Sequence, residues 1–112
     1  MNTLDTILEA IKSRKPISYE YVGGKKPVFG ERRGDPYATY VFMTKDGIST
    51  TKVDIFQLSG ASSSNTYDKI KMSDLADLRN VQILVNEPEF TINPISGYRP
   101  ESERYSSVLA KV

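Results

Sequence analysis

Histidine, cysteine and tryptophan are absent from this chain of 112 residues. Without cysteine there is no disulfide framework, no thiolate nucleophile, no iron–sulfur site and no Cys/His zinc site. Without histidine there is no Ser-His-Asp triad and no imidazole acid or base near neutral pH. A metal would have to sit among carboxylates, which favours calcium or magnesium. The acids Glu87, Glu89, Glu101 and Glu103 are spread over a proline-interrupted tail and do not form a calcium loop. The expectation is therefore no metal and no cofactor. No apolar run approaches the roughly 20 residues that span a bilayer. Met1 to Arg14 carries Asp5, Glu9, Lys12 and Arg14, so it lacks the apolar stretch of a secretory signal. These features predict a cytoplasmic protein with no membrane contact.

Net charge is +1, which gives no global attraction to nucleic acid. Its distribution is uneven. Residues 1–33 hold seven cations (Lys12, Arg14, Lys15, Lys25, Lys26, Arg32, Arg33) against four acids, whereas residues 34–112 hold eight against ten. The basic third is either ordinary solvated surface or one anion-facing patch, and only folding decides which.

The length suits one domain, whose single core can bury roughly 65% of the unfolded chain's surface. Leu4, Ile7, Leu8 and Ile11 recur at helical spacing. Asn2 or Thr3 can cap that helix and Pro16 must end it, so the spacing predicts a helix over 3–14. Ile17 to Tyr21 alternates apolar and polar, the pattern of a half-buried strand. Gly23-Gly24 reads as a hairpin turn, with Lys25 to Phe29 returning as a second strand and Gly30 to Pro36 as a polar loop. Ala38 to Thr44 and Ile48 to Leu58 read as a hairpin about Lys45-Asp46-Gly47. Ser59 to Asn65 reads as loop, Tyr67 to Met72 and Val81 to Val85 as strands, and Ser73 to Leu78 as a short helical turn. The region 17–85 is thus a barrel candidate. Residues 86–112 form a wrapping tail whose Phe90, Ile92, Ile95, Tyr98 and Tyr105 suit packing, with a last strand over Val108 to Val112. One helix followed by five to six short strands predicts a mainly β fold, a small, partly closed barrel capped by the helix.

The order of landmarks resembles a known family. ILEAIKSRKPISYEYVGG is similar to the opening of WYL domains, through Leu8, Ala10, Ile11, Arg14, Lys15, Ile17, Tyr19 and Tyr21. RRGDPYATYVF and IFQLSGASSS resemble two further segments, the latter through Phe56, Gln57, Gly60 and Ser62 to Ser64. DKIKMSDLADLRNVQIL and the tail from Phe90, through Gly97, Tyr98, Pro100, Tyr105 and Ala110, complete the series. Phe56 stands where the family often has tryptophan, and Tyr37 where it has histidine. The resemblance implies an SH3-like, Sm-like barrel with an N-terminal helix. It also implies a sensor of ligands contacted through cations, approximately matched here by Lys25, Lys26, Arg32 and Arg33. Longer family members often carry a DNA-binding helix-turn-helix.

Gly30-Glu31-Arg32-Arg33-Gly34-Asp35-Pro36-Tyr37 is the densest functional candidate. Paired arginines present planar forks suited to phosphate, and glycines allow close backbone approach. The alternative is an exposed loop whose arginines are solvated or paired with Glu31 and Asp35. Ser59 to Asn65 offers hydroxyls to an anion, or is simply a connection. A serine nucleophile there would lack a histidine base, so enzymatic activity is not expected. Tyr19 and Tyr21, sharing a face with Ile17, suit the core. Tyr37 and Tyr40 have opposite parity, so a regular strand would expose one of them to stack a base. The leading expectation is a non-enzymatic regulatory module. It would bind a nucleotide or single-stranded nucleic acid through Lys25, Lys26, Arg32, Arg33 and an exposed Tyr37 or Tyr40. The alternative is a protein-interaction or homodimerising accessory domain using strand edges or the aromatic face.

Overall fold

The computed structural model describes residues 2–24, 28–61 and 69–112. Lys25, Lys26, Ser62 to Asn65 and Tyr67 lie outside the described residues. The chain is mainly β, with one N-terminal α-helix and six antiparallel strands among the described residues.

Helix α1 spans Thr3–Ser13. The Asn2 side chain accepts from the Asp5 N–H at 2.8 Å, which satisfies one of the unpaired donors of the first turn. Arg14 ends the helix in the left-handed conformation (φ 54°), and Pro16 follows two residues later. Ile7, Ala10, Ile11 and Thr6 are buried, while Leu4 and Leu8 are only half-buried. The inward line is thus rotated from the expected stripe toward Thr6 and Ala10.

The strands are β1 Ile17–Tyr21, β2 Glu31–Met43, β3 Ser49–Gly60, β4 Ile70–Asp74, β5 Leu78–Ile83 and β6 Val108–Lys111. The sheet runs β4-β3-β2-β1-β5, and β6 lies beside β2 beyond the end of β1. One expectation is corrected here. The stretch Gly30 to Pro36 is not a polar loop. From Glu31 it is the first half of a 13-residue strand, pairing Ile17 with Gly34 and Glu20 with Glu31. The turn formers Gly34 and Pro36 are accommodated because Gly34 packs tightly on β3. A Cβ there would lie 2.7 Å from Ile55 Cγ2. In addition, the sheet is not closed. Strands β4 and β5, its two ends, are joined by one turn of 3-10 helix (Leu75–Asp77) but do not pair with each other.

Alternation along β3 sorts the two faces. Val53 and Ile55 face α1 and form the main core with Ile7, Ala10, Ile11, Ile17, Tyr19 and Leu78. Asp54 and Phe56 face the tail. There Phe90 packs with Tyr37 and Phe56, and Tyr105 packs with Ala38 and Tyr40. The tail is held by its backbone as well as its rings. Phe90 N–H donates to Arg14 O at 2.8 Å, Val112 N–H donates to Tyr37 O at 2.8 Å, and Tyr98 O–H donates to Val112 O at 2.8 Å. Helix, sheet and tail are therefore three layers, and β2 is covered on both sides over Gly34 to Tyr40.

Candidate functional site

Of the expected cationic cluster, Arg32 and Arg33 are the members among the described residues, and they do not come together. Consecutive residues of a strand point to opposite faces, and Arg32 and Arg33 obey that rule. Arg33 lies outside, paired with Glu87 at 2.9 Å, with both side chains nearly half exposed. Such a pair contributes at most about 1 kcal/mol. Arg32 turns inward and is 9% exposed. Its guanidinium carbon sits 5.2 Å from the centroid of the Tyr21 ring, and Nη2 donates to Val28 O at 3.0 Å. Among the described residues no carboxylate lies within ion-pair distance of it.

The base-stacking platform is also corrected. Tyr37 and Tyr40 are both fully buried, so neither ring is available from solvent. The strand is not regular. Pro36 pairs with Ile55 and Ala38 with Asp54, which leaves Tyr37 as the extra residue of a β-bulge. The bulge resets the alternation and puts both tyrosines on the tail side. Tyr37 stacks on Phe56 (centroids 6.1 Å, interplanar angle 13°), and its hydroxyl accepts from the Asn93 N–H at 2.9 Å.

Tyr40 belongs to a buried polar cluster that sequence reading missed. Asp54 is fully buried in mid-sheet. Tyr40 O–H donates to its Oδ1 at 2.9 Å and Tyr105 O–H to its Oδ2 at 2.6 Å. Arg104 Nη2 lies 3.6 Å from Oδ1 and its guanidinium covers both rings, at 5.9 and 5.8 Å from their centroids. Burial, reinforced by the Asp54 charge, pushes the Tyr40 hydroxyl up to about 12 and the Tyr105 hydroxyl well above its ordinary value. Both phenols therefore stay protonated donors at physiological pH. The cluster joins the tail to the sheet and, being sealed, offers nothing to a ligand. The run Val53-Asp54-Ile55-Phe56, an acid inside an apolar strand, was the signal for it.

Among the described residues, three buried polar atoms find no hydrogen-bond partner: Arg32 Nε, Asp35 Oδ1 and Gln57 Oε1. Two of these residues share a face. Gln57 is opposite Gly34, and Arg32 lies two residues from Gly34 along β2, on the α1 side. The Gln57 amide is fixed by its Nε2, which donates to Ser59 O at 3.1 Å and Ala61 O at 2.8 Å. Its carboxamide oxygen is left without a donor. Asp35 faces the other way, opposite Phe56, and is 6% exposed. Burial raises its carboxyl to about 6.

A groove of about 580 Å³ opens where the sheet fails to close, lined by Leu4, Thr51, Leu75, Leu78 and Arg79 among others. Among the described residues no group of three or more His, Cys, Asp or Glu is placed to hold a metal ion. No described helix is long and apolar enough to cross a membrane.

Searches with family models, of curated proteins and of solved structures all find no match to this chain.

Proposed function

We propose that this chain is a non-enzymatic binding module for a small anionic ligand of the nucleotide class, seated at Arg32 and Gln57. The observation that carries the reading is a pair of buried atoms on one face that find no partner among the described residues, a cationic N–H donor at Arg32 and a carbonyl acceptor at Gln57. A buried polar group without a partner costs about 1–3 kcal/mol, and more when charged. A ligand offering a phosphate oxygen and an N–H or O–H donor removes both costs once the side chains over Arg32 (9% exposed) and Gln57 (1% exposed) give way to it. Arg32 supplies the charge, Gln57 the acceptor, and Tyr21 the ring beneath the guanidinium. The likeness of the chain to WYL domains supports the same reading. Tyr37, Tyr40 and Arg33 take no part in it.

The test is a thermal-shift series at low salt with nucleoside monophosphates, cyclic mononucleotides and oligo-dT. A ligand present at 100 times its dissociation constant adds about 2.7 kcal/mol of stability. The expected result is a shift with a mononucleotide that disappears in Arg32→Met and weakens in Gln57→Leu. A shift with oligo-dT alone, falling steeply with salt, extends the site to single strands. No shift with any of the three, or a shift unchanged in Arg32→Met, overturns the reading.

A further inference from the structure

The open seam of the sheet carries a second kind of surface. Strand β4 covers β3 from Lys52, paired with Asp74, to Phe56, paired with Ile70. The chain then turns away into Leu75–Asp77. Ser49, Thr50 and Thr51 of β3 pair with Met43, Phe42 and Val41 of β2 on one side only. Among the described residues no strand covers their other side. That bare edge borders the groove of about 580 Å³, whose walls are Leu4 of α1, Leu75, Ala76 and Leu78. Among the described residues, the one charged side chain lining the groove is Arg79, exposed at its rim.

We infer that this groove receives an extended peptide segment of a protein partner, added as a strand to the open edge of Ser49–Thr51. An unpaired strand edge offers backbone donors and acceptors in a fixed row, which is what strand addition uses for affinity. Alternate side chains of the added strand point to one face, here into the apolar trough between Leu4 and Leu78. Arg79 at the rim selects an acidic residue in the segment. The occupant is thus an extended peptide with apolar residues at alternate positions and an aspartate or glutamate beside them. The outer edge of β5 suits this less. Strand β5 is kinked at Asn80, a non-glycine residue at φ 53°, where the pairing with β1 shifts register. Such a bulge blunts an edge against pairing.

The experiment is selection of a random heptapeptide phage library on the full chain, followed by affinity measurement of the enriched peptides. The expected peptides alternate apolar residues around an acid. N-methylation of their backbone should abolish binding, and their addition should shift the amide resonances of Thr50 and Thr51. Ala76 is exposed, so Ala76→Arg fills the groove without touching the core, and it should weaken binding by about tenfold or more. Arg79→Glu should turn the preference from acidic to basic peptides. Arg32→Met should leave binding unchanged, which separates this site from the nucleotide reading. The inference is overturned if no peptide is enriched, if binding survives Ala76→Arg and Arg79→Glu alike, or if N-methylated peptides bind equally well.

Discussion

Replacing Asp35 by asparagine isolates a single titration and asks whether the inner part of β2 is as dry as its packing implies. Asp35 is 6% exposed, faces Phe56, and has one carboxyl oxygen without a partner. Burial raises its carboxyl to about 6 from an ordinary value of 3.8. The folded state therefore holds its proton more tightly than the unfolded chain. Stability from this group is fully present below about pH 4, declines between about pH 4 and pH 6, and stays at the lower level above that. A shift of roughly two pKa units is worth about 3 kcal/mol at 1.36 kcal/mol per unit. Asparagine has nearly the same shape and no charge to bury at any pH. Urea unfolding of both proteins, from about pH 3.5 to pH 8, gives the difference in stability, in which every other titrating group cancels. The variant should match the parent at the acid end and exceed it by up to about 3 kcal/mol at the alkaline end, with the change centred near pH 5. A difference that is flat with pH would mean the carboxylate is solvated, and a variant weaker at pH 8 would mean that its charge is stabilising. Either result refutes the dry environment proposed for Asp35.

Further predictions concern the two layers around the sheet. Ile7→Ala empties a fully buried site and should cost about 2–5 kcal/mol, whereas Leu8→Ala, at a half-buried position, should cost clearly less, as read from urea midpoints. Asp54→Ala removes the acceptor of two tyrosine hydroxyls and the partner of Arg104, so it should cost about 3–5 kcal/mol and loosen the tail, seen as faster amide exchange at Tyr105 and Val112.

The sequence makes the elements visible, but their two-sided packing much less so. The helix is legible because Asn2, Pro16 and the apolar spacing agree. The hairpin about Gly47 is legible from its turn residues, and Gly47 indeed takes φ 79°. The strand over 31–36 was hidden by its own composition. Glycine, proline and four charges read as loop until neighbouring strands supply hydrogen bonds and Gly34 is needed for close approach. The burial of both tyrosines is hidden from the sequence for a related reason. Parity arguments assume a regular strand, and the bulge at Tyr37 breaks it. Nothing local announces that bulge, because it is the tail's Phe90 and Tyr98, more than 50 residues further on, that cover the ring. The Asp54 cluster joins residues 40, 54, 104 and 105, so no window along the chain contains it. The arginine pair was legible as a candidate, while the divergence of its members follows only once the strand is known.

The coverage of β2 from both sides also has a consequence in time. During synthesis α1, β1, β2 and β3 are complete by residue 60, but the rings that seal the tail side, Phe90 and Tyr105, come later. At 5–20 residues per second, the roughly 45 residues between them take on the order of 2–9 s to emerge. A hairpin that formed in that interval would leave Tyr37, Tyr40 and Phe56 as a bare aromatic face around a carboxylate still without Tyr105 and Arg104. Slow translation of residues 61–105 should lower the yield of folded protein more than slow translation of the first 60.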